Sequence, residues 1–324
     1  MKKIKKLNLK YILLGTLLLA TAVPTSSLAS RGITVERYSG KSRYDTAVTS
    51  SINTFNNSKY AIIASGENYP DALVGGTLAT QLNAPVLLTS KSSIPSNVLN
   101  ELDRLETEVV FLLGGDSTIS NSVYETLLNK GYKVERLSGR NRLDTAIKVR
   151  EMRFKYAEFI TPGERVAVVD GANFADSLSA APFVGQMPTT TYLYPFVKGN
   201  TNKIPYYMAF GGKSSVPKGY AEKVRYSGKS RFDTSVEIAK AYETVLDKNI
   251  DTVILVDGNN YPDALSSAPL AKMNNGAILL TGKDALPKVV RDFIANNSNI
   301  NKVIVVGGEG SVSSSVVNEI KNID

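Results

Sequence analysis

Six aspartates recur in two settings. Asp45, Asp144 and Asp233 sit in the run Arg-x-Asp-Thr, and Asp71, Asp176 and Asp263 each lie two positions after an aromatic residue. Two carboxylates facing one another are the equipment of glycoside hydrolysis, where their separation sets the stereochemical outcome. Placed ahead of a helix, the same side chains instead accept hydrogen bonds from its orphan amides. The repetition favours structural caps, because one solution copied three times is simpler than three active sites. Arg43, Arg142 and Arg231 stand two residues before the first set. Each guanidinium is suited to grip a phosphate or carboxylate of a polymer. It is equally suited to an internal ion pair bracing its loop to Asp71, Asp176 or Asp263. The spacing puts the arginine in a turn that needs fixing, which favours the brace, while the polymer contact remains its functional alternative.

Much other chemistry is excluded by composition. The 324 residues contain no Cys, His or Trp. There is accordingly no thiolate nucleophile, disulfide, imidazole base or HExxH zinc site. Gly-Lys-Ser occurs at 40–42, 212–214 and 228–230, but a Walker loop needs a glycine five residues earlier, where Val35, Tyr207 and Lys223 stand. Asp-Gly-x-Asn at 170–173 and 257–260 resembles the start of a calcium loop, yet its twelfth position is Ala181 or Ala268. No catalytic residue, metal or cofactor is expected.

The elements that position these residues come in three copies. Arg-x-Ser-Gly-x-x-Arg-x-Asp-Thr begins at Arg37, Arg136 and Arg225, spaced 99 and 89 residues apart. Each copy is followed by ASGENYPDAL from Ala64, VDGANFADSL from Val169 or VDGNNYPDAL from Val256. Next come the apolar runs APVLLTS from Ala84 and GAILLTG from Gly276, with a degenerate MPTTTYL from Met187. A strand ending in Gly-Gly closes each unit, at Gly115, Gly212 and Gly308. Unbroken apolar strands alternating with helices predict an α/β fold with a parallel sheet covered on both faces. In the first unit, strands are predicted at 33–38, 60–64, 85–89 and 108–113, with helices from Thr46 and over 72–82, 96–105 and 121–130. Val86-Leu87-Leu88 and Ile278-Leu279-Leu280 read as buried central strands. Pro95, Pro217 and Pro287 mark helix starts, and Ser120 and Ser313 mark caps. The strand ahead of each Arg-x-Ser-Gly block follows the last helix of the preceding unit, and for the first copy it lies at residues 33–37. A ring of three units would let that strand complete the third.

Residues 1–29 carry five lysines, a short apolar run from Tyr11 to Val23 and a small-residue stretch ending at Ala29. This is the plan of a secretory signal peptide, and the run is short of the roughly 20 residues that span a bilayer. The whole chain has 38 basic and 30 acidic residues, a charge of +8; without the leader the balance falls to +3. A general basic surface for nucleic acid or membrane is therefore not expected, nor a stable membrane anchor. The expected domains are the signal peptide at 1–29 and modules at 30–134, 135–223 and 224–324, the second being degenerate.

These blocks closely resemble the type 2 cell-wall-binding repeat of Gram-positive surface proteins, over essentially all of 33–324. The resemblance implies three tandem modules forming a compact pseudo-threefold trimer. It also implies non-covalent attachment to an anionic cell-wall polysaccharide, at the surface and beside other surface-layer proteins. The family's Ile-Leu-Leu motif, implicated in polymer anchoring, falls on Ile278, Leu279 and Leu280. With one conservative change it falls on Val86, Leu87 and Leu88, and in the second module on Thr189, Thr190 and Thr191. Such apolar strands would position nearby Arg, Lys and backbone amides rather than touch phosphate. Relatives commonly add a protease, amidase or adhesin domain, whereas here the modules account for nearly the whole chain. The expectation is a secreted, surface-retained binding protein without catalysis. The alternatives are a carboxylate-based wall hydrolase using the Asp71-type loops, a modifier of an N-acetylmuramoyl-L-alanine amidase, and an adhesin meeting a ligand through loops such as Tyr192–Asn202.

Overall fold

The computed structural model describes residues 32–157, 165–188, 191–197, 205–219 and 221–323. The expected leader, Thr189, Thr190 and residues 198–202 of the Tyr192–Asn202 loop lie outside them, while Tyr192 to Phe196 belong to a strand. The chain opens with β1 (Thr34–Tyr38), α1 (Arg43–Ile52), β2 (Tyr60–Ser65), α2 (Pro70–Leu82), β3 (Val86–Thr89), α3 (Ser96–Arg104), β4 (Val109–Leu113) and α4 (Asn121–Asn129). It continues with β5 (Lys133–Leu137), α5 (Arg142–Lys155), β6 (Arg165–Asp170), α6 (Ala175–Gln186), β7 (Thr191–Phe196), β8 (Met208–Phe210) and β9 (Val224–Tyr226). The third copy comprises α7 (Arg231–Leu246), β10 (Thr252–Asp257), a 3₁₀ turn (Asp263–Ser266), α8 (Ser267–Met273), β11 (Gly276–Thr281), α9 (Lys288–Asn296), β12 (Lys302–Val306) and α10 (Ser314–Lys321).

Three four-stranded sheets result, ordered β3-β2-β4-β5, β7-β6-β8-β9 and β11-β10-β12-β1, and every pairing is parallel. Each sheet takes its last strand from the start of the next copy. β5 closes the first sheet, β9 the second, and β1 pairs with β12 from Thr34 opposite Lys302 to Tyr38 opposite Val306. The chain is thus a closed ring, its first strand completing the third sheet. The 134/135 boundary falls inside β5, and the 223/224 boundary directly before β9.

Helices α2, α6 and α8 pack against one another around the pseudo-threefold axis. Ala72 to Thr80 of α2 are all buried, as is most of α6, the pattern of helices surrounded by protein. Small residues permit the approach. A Cβ on Gly76 would lie 2.9 Å from the Ala268 Cβ and 3.2 Å from that of Ala181, its two counterparts. One on Gly185 would lie 2.5 Å from the Thr80 Cβ.

Two expectations about the apolar runs are corrected here. Val86-Leu87-Leu88 and Ile278-Leu279-Leu280 are edge strands of their sheets, not central ones. They are nevertheless at most 2 % exposed, because helices of a neighbouring copy cover the edge: α8 and its preceding 3₁₀ turn on β3, α2 on β7 and α6 on β11. The second-module alignment also shifts. Ile278, Leu279 and Leu280 lie opposite Ile254, Leu255 and Val256, while Leu193, Tyr194 and Pro195 lie opposite the corresponding Ala167, Val168 and Val169. The structural counterparts are therefore Leu193-Tyr194-Pro195, four residues beyond the Thr run. Pro95 and Pro287 immediately precede α3 and α9, and Ser120 and Ser313 hold the N-cap positions of α4 and α10 without a side-chain cap bond. Pro217 starts no helix among the described residues.

Candidate functional site

The motif blocks lie where strands end, and parallel sheets bring all their C-terminal ends to one side. There the first arginine of each block ties two strands together. Arg37, Arg136 and Arg225 donate from Nη1 to the carbonyls of Gly307 (2.7 Å), Gly114 (2.9 Å) and Gly211 (2.7 Å) on the adjacent strand end. Those glycines have φ of +117°, +116° and +104°, so the Gly-Gly turn requires them. In the following turn, Gly40, Gly139 and Gly228 donate their N–H to Thr46, Thr145 and Thr234 at 3.1, 3.2 and 3.2 Å. The spacing from Ser-Gly to Asp-Thr is thus the length of a hydrogen-bonded loop.

The structure redistributes the capping roles. Ser42, Asn141 and Ser230 occupy the N-caps of α1, α5 and α7 and accept from the amides of Asp45, Asp144 and Asp233. These aspartates sit at the third helical position. Asp233 closes a reciprocal capping box, with Ser230 N–H donating to it at 3.1 Å. Asp144 instead pairs with Arg140 at 2.8 Å, which holds its carboxyl below the usual range. Asp71, Asp176 and Asp263 lie in the first turns of α2, α6 and the 3₁₀ segment, whose N-cap positions are held by Tyr69, Phe174 and Pro262 instead. Their carboxylates lean against Gly114, Gly211 and Gly307, and Asp263 also accepts from Ser311 at 2.6 Å.

Arg43, Arg142 and Arg231 brace the loops, though through different partners from those expected. Each donates from Nη1 to the carbonyl of Gly66, Gly171 or Gly258 in its own copy. The carboxylates they influence include those of the preceding copy in the ring, and Arg231 also acts on Asp257 of its own copy. Arg142 and Thr145 lower the proton affinity of Asp71, and Arg231 that of Asp176. Desolvation nevertheless wins at both. Asp71 is pushed up, and Asp176, which also feels Asp170, is pushed up to about 6. The Asp71 and Asp176 sites therefore lie at seams between modules.

At the axis, Tyr69, Phe174 and Tyr261 converge, with ring centroids 5.0 to 5.9 Å apart. Tyr69 Oη donates to Ala172 O and Tyr261 Oη to Glu67 O, both at 2.9 Å, so each tyrosine stitches its copy to a neighbouring loop. Sequence reasoning missed this triad, although its signal was present as the aromatic position of each second block. It also missed three exposed cations, Lys41, Arg140 and Lys229, each two residues before a half-buried arginine. The small balance of +3 outside the expected leader concealed them.

The model for "Cell wall binding domain 2 (CWB2)" matches residues 37–124, 136–221 and 225–317, most of the chain. The chain belongs to this family. Such a domain implies a place at the cell surface, and among the described residues no helix is long and apolar enough to cross a membrane. The chain is 26% identical over 305 residues to N-acetylmuramoyl-L-alanine amidase LytC of Bacillus subtilis (strain 168), covering 89% of this chain and 58% of that one. It is 26% identical over 298 residues to the amidase enhancer of the same organism, covering 88% of this chain and 40% of that one. The chain thus spans roughly half the length of these relatives. Among solved structures, Cwp8 from Clostridium difficile matches with a TM-score of 0.75 at 25% identity, covering 89% of this chain and 51% of that one. Cwp6 from the same organism matches with 0.76 at 21% identity, covering 90% and 48%, and shares the fold.

Proposed function

We propose that the ring attaches non-covalently to an anionic cell-wall polysaccharide through the face where the strands end, and that it does so without catalysis. One observation carries this reading. Lys41, Arg140 and Lys229 are exposed, and each neighbours Arg43, Arg142 or Arg231 at one of three pseudo-equivalent corners. A repeating polyanion meets repeating cations at fixed spacing, which suits attachment better than one large basic patch does. Backbone amides of the surrounding turns add donors.

Val86, Leu87, Leu88, Ile278, Leu279 and Leu280 take no direct part, being buried. Their contribution is to hold neighbouring modules so that the corners keep their spacing. Secretion, retention at the surface and a position beside other surface-layer proteins follow from the same reading, as does the division into a leader and three modules. Asp176 beside Asp170 is the nearest approach to a glycosidase acid, since its carboxyl is raised to about 6. The first copy carries Ser65 at the place of Asp170, where its Oγ accepts from Glu67 N–H (3.1 Å) much as Asp170 accepts from Ala172 N–H (2.8 Å). The turn needs an acceptor there rather than an acid, which favours structure over hydrolysis.

The test is retention on purified walls before and after removal of the anionic polymer. Binding should fall on stripped walls and weaken with salt. Reversing the three exposed cations together (Lys41→Glu, Arg140→Glu, Lys229→Glu) should lower affinity about tenfold or more. Equal binding to stripped walls would refute the polymer claim. A cleared zymogram band that is lost in Asp176→Asn would favour the hydrolase.

A further inference from the structure

The seam between the first long helix and the third is closed in the first module and open in the third. In the first, Phe55 is 3 % exposed and Glu101 2 % exposed. Glu101 accepts from Ser51 Oγ and from Arg104 Nε and Nη2, both at 2.7 Å, and Arg104 also donates to Phe55 O at 2.8 Å. Counted from the motif arginine and along the nine-residue α3 and α9, the third module replaces Ser51, Phe55, Glu101 and Arg104 by Ala239, Glu243, Phe293 and Asn296. The plug and its ion pair are gone together. Helix α7 also runs 16 residues where α1 runs 10, which lengthens one wall.

What remains is a groove of about 470 Å³, within the range of small-ligand sites. Its floor is Val236, Val289 and Phe293, packed on the core, and exposed Asn249, Asn296 and Asn299 line its rim. The lining charges are largely balanced locally: Lys240 pairs with Glu237 at 2.8 Å, and Asp292 with Lys288 at 2.5 Å. A polyanion therefore finds little to bind here. A carboxamide offers a donor and an acceptor side by side, which matches adjacent hydroxyls, and a phenyl ring offers an apolar face to the C–H side of a sugar. Asn249 precedes β10 and Asn299 precedes β12, so the groove lies at the strands' N-terminal ends, away from the cationic corners.

We propose that the α7–α9 groove is a second site, for a short stretch of uncharged glycan. It rests on the wall-binding reading for the source of the sugar, and on the groove itself for the chemistry. The experiment is an NMR titration of the protein with triacetylchitotriose and, separately, cellotriose. At least one should shift the side-chain amide signals of Asn249, Asn296 and Asn299 with roughly millimolar affinity. Glu243→Phe, which restores the first module's plug, should weaken that affinity at least about tenfold without lowering the melting temperature. Phe293→Leu, which keeps the floor apolar but removes the ring, should also weaken it. Absence of shifts with both sugars, or shifts unchanged in Glu243→Phe, would overturn the site. Salt-sensitive retention on walls is measured in parallel. If it is absent while the titration succeeds, the polymer reading fails and the groove stands; the reverse result separates them the other way.

Discussion

In the first module the outer face of the sheet lies under α3 and α4, whose Val98, Leu102, Val123 and Leu127 join Ala61, Ile63, Val110 and Leu112 in one buried cluster. The second module has no helix between β8 and β9 among the described residues, and β8 and β9 are three residues each. There Tyr194, Tyr206 and Val216 cover Val166, Val168 and Ala209, with Tyr192 and Phe196 against them. The inner faces do not diverge in this way. Ala64, Leu88 and Leu113 of the first sheet and Val256, Leu280 and Val306 of the third enter one shared core, and Val169, Leu193 and Phe210 pack equivalently on α6 and α7. The difference shows where the constraint lies. The inner half must fit two other modules at once, so its geometry is copied. The outer half answers only to its own sheet, and large aromatic side chains can replace helices there.

The strongest way to break this contrast is at the axis. Gly185→Val places a branched side chain where even a Cβ would lie 2.5 Å from the Thr80 Cβ and 2.9 Å from Thr77 O. Since α2 and α6 cannot separate without opening the ring, we expect a loss of about 3 kcal/mol or more in denaturant unfolding. A Val98→Ala change in the outer layer should cost less, about 1 to 2 kcal/mol, and leave the other modules undisturbed. Equal losses would mean that the inner half is no more constrained than the outer.

A second pair of sites sharpens the comparison inside the inner half. Arg153 and Tyr242 each stand nine residues after the motif aspartate, and both are fully buried at a seam. Arg153 reaches no carboxylate among the described residues. It donates to Gln81 Oε1 (2.9 Å), Thr191 O (2.6 Å) and Val184 O (3.1 Å), joining two modules. Desolvation pushes its guanidinium down to about 10. Its charge-assisted bonds to three oxygens are what make that burial tolerable. Arg153→Met should therefore cost about 2 to 4 kcal/mol, because it leaves buried acceptors without donors. Tyr242 packs on Phe183 at 5.3 Å, but its hydroxyl has no partner among the described residues. Tyr242→Phe should be neutral or stabilising by up to about 1 kcal/mol. Opposite signs at equivalent positions, read in the same unfolding assay, would show that the seams use different chemistry.

These seams also explain how far the sequence could be read. Repeats, strand runs and the ring closure were legible because they are written as patterns: Arg37 repeats Arg136, so its strand must do what β5 does. Edge and central strands were not distinguishable, since an edge covered by a neighbour is as apolar as a centre. The Thr run is no guide to the second module because spacing from Met187 carries no strand register, which Arg165 opposite Thr191 fixes. The arginine partners were half legible. A turn needing a brace was visible in the spacing, but carbonyls carry no side-chain signature, so the glycine acceptors were not. Loss of α4's counterpart left only a weak mark, because Pro217 still looks like a helix start.

The expected effect that depends most on pH concerns the carboxylates. Asp71 and Asp176 occupy the same place, yet Asp71 is favoured in its charged form by the nearby Thr145 hydroxyl and has the uncharged Ser65 where Asp176 faces Asp170. Asp176 therefore titrates near 6 in the folded ring, against about 3.9 in an unfolded chain. An acid raised on folding binds its proton more tightly in the native state. Its burden is fully present above about 6, shrinks as pH falls, and is gone below about 4. Asp176→Asn removes the burden with little change in shape. It should stabilise the protein by about 1 to 2 kcal/mol at neutral pH and by nothing near pH 4, discounted for the partial exposure of the carboxyl. Asp71→Asn should gain less or even lose, since it gives up the charge that Thr145 and Arg142 favour. A stability profile for Asp176→Asn that runs parallel to the wild type between about pH 4 and 6 would show that Asp170 and burial do not act on Asp176 as described.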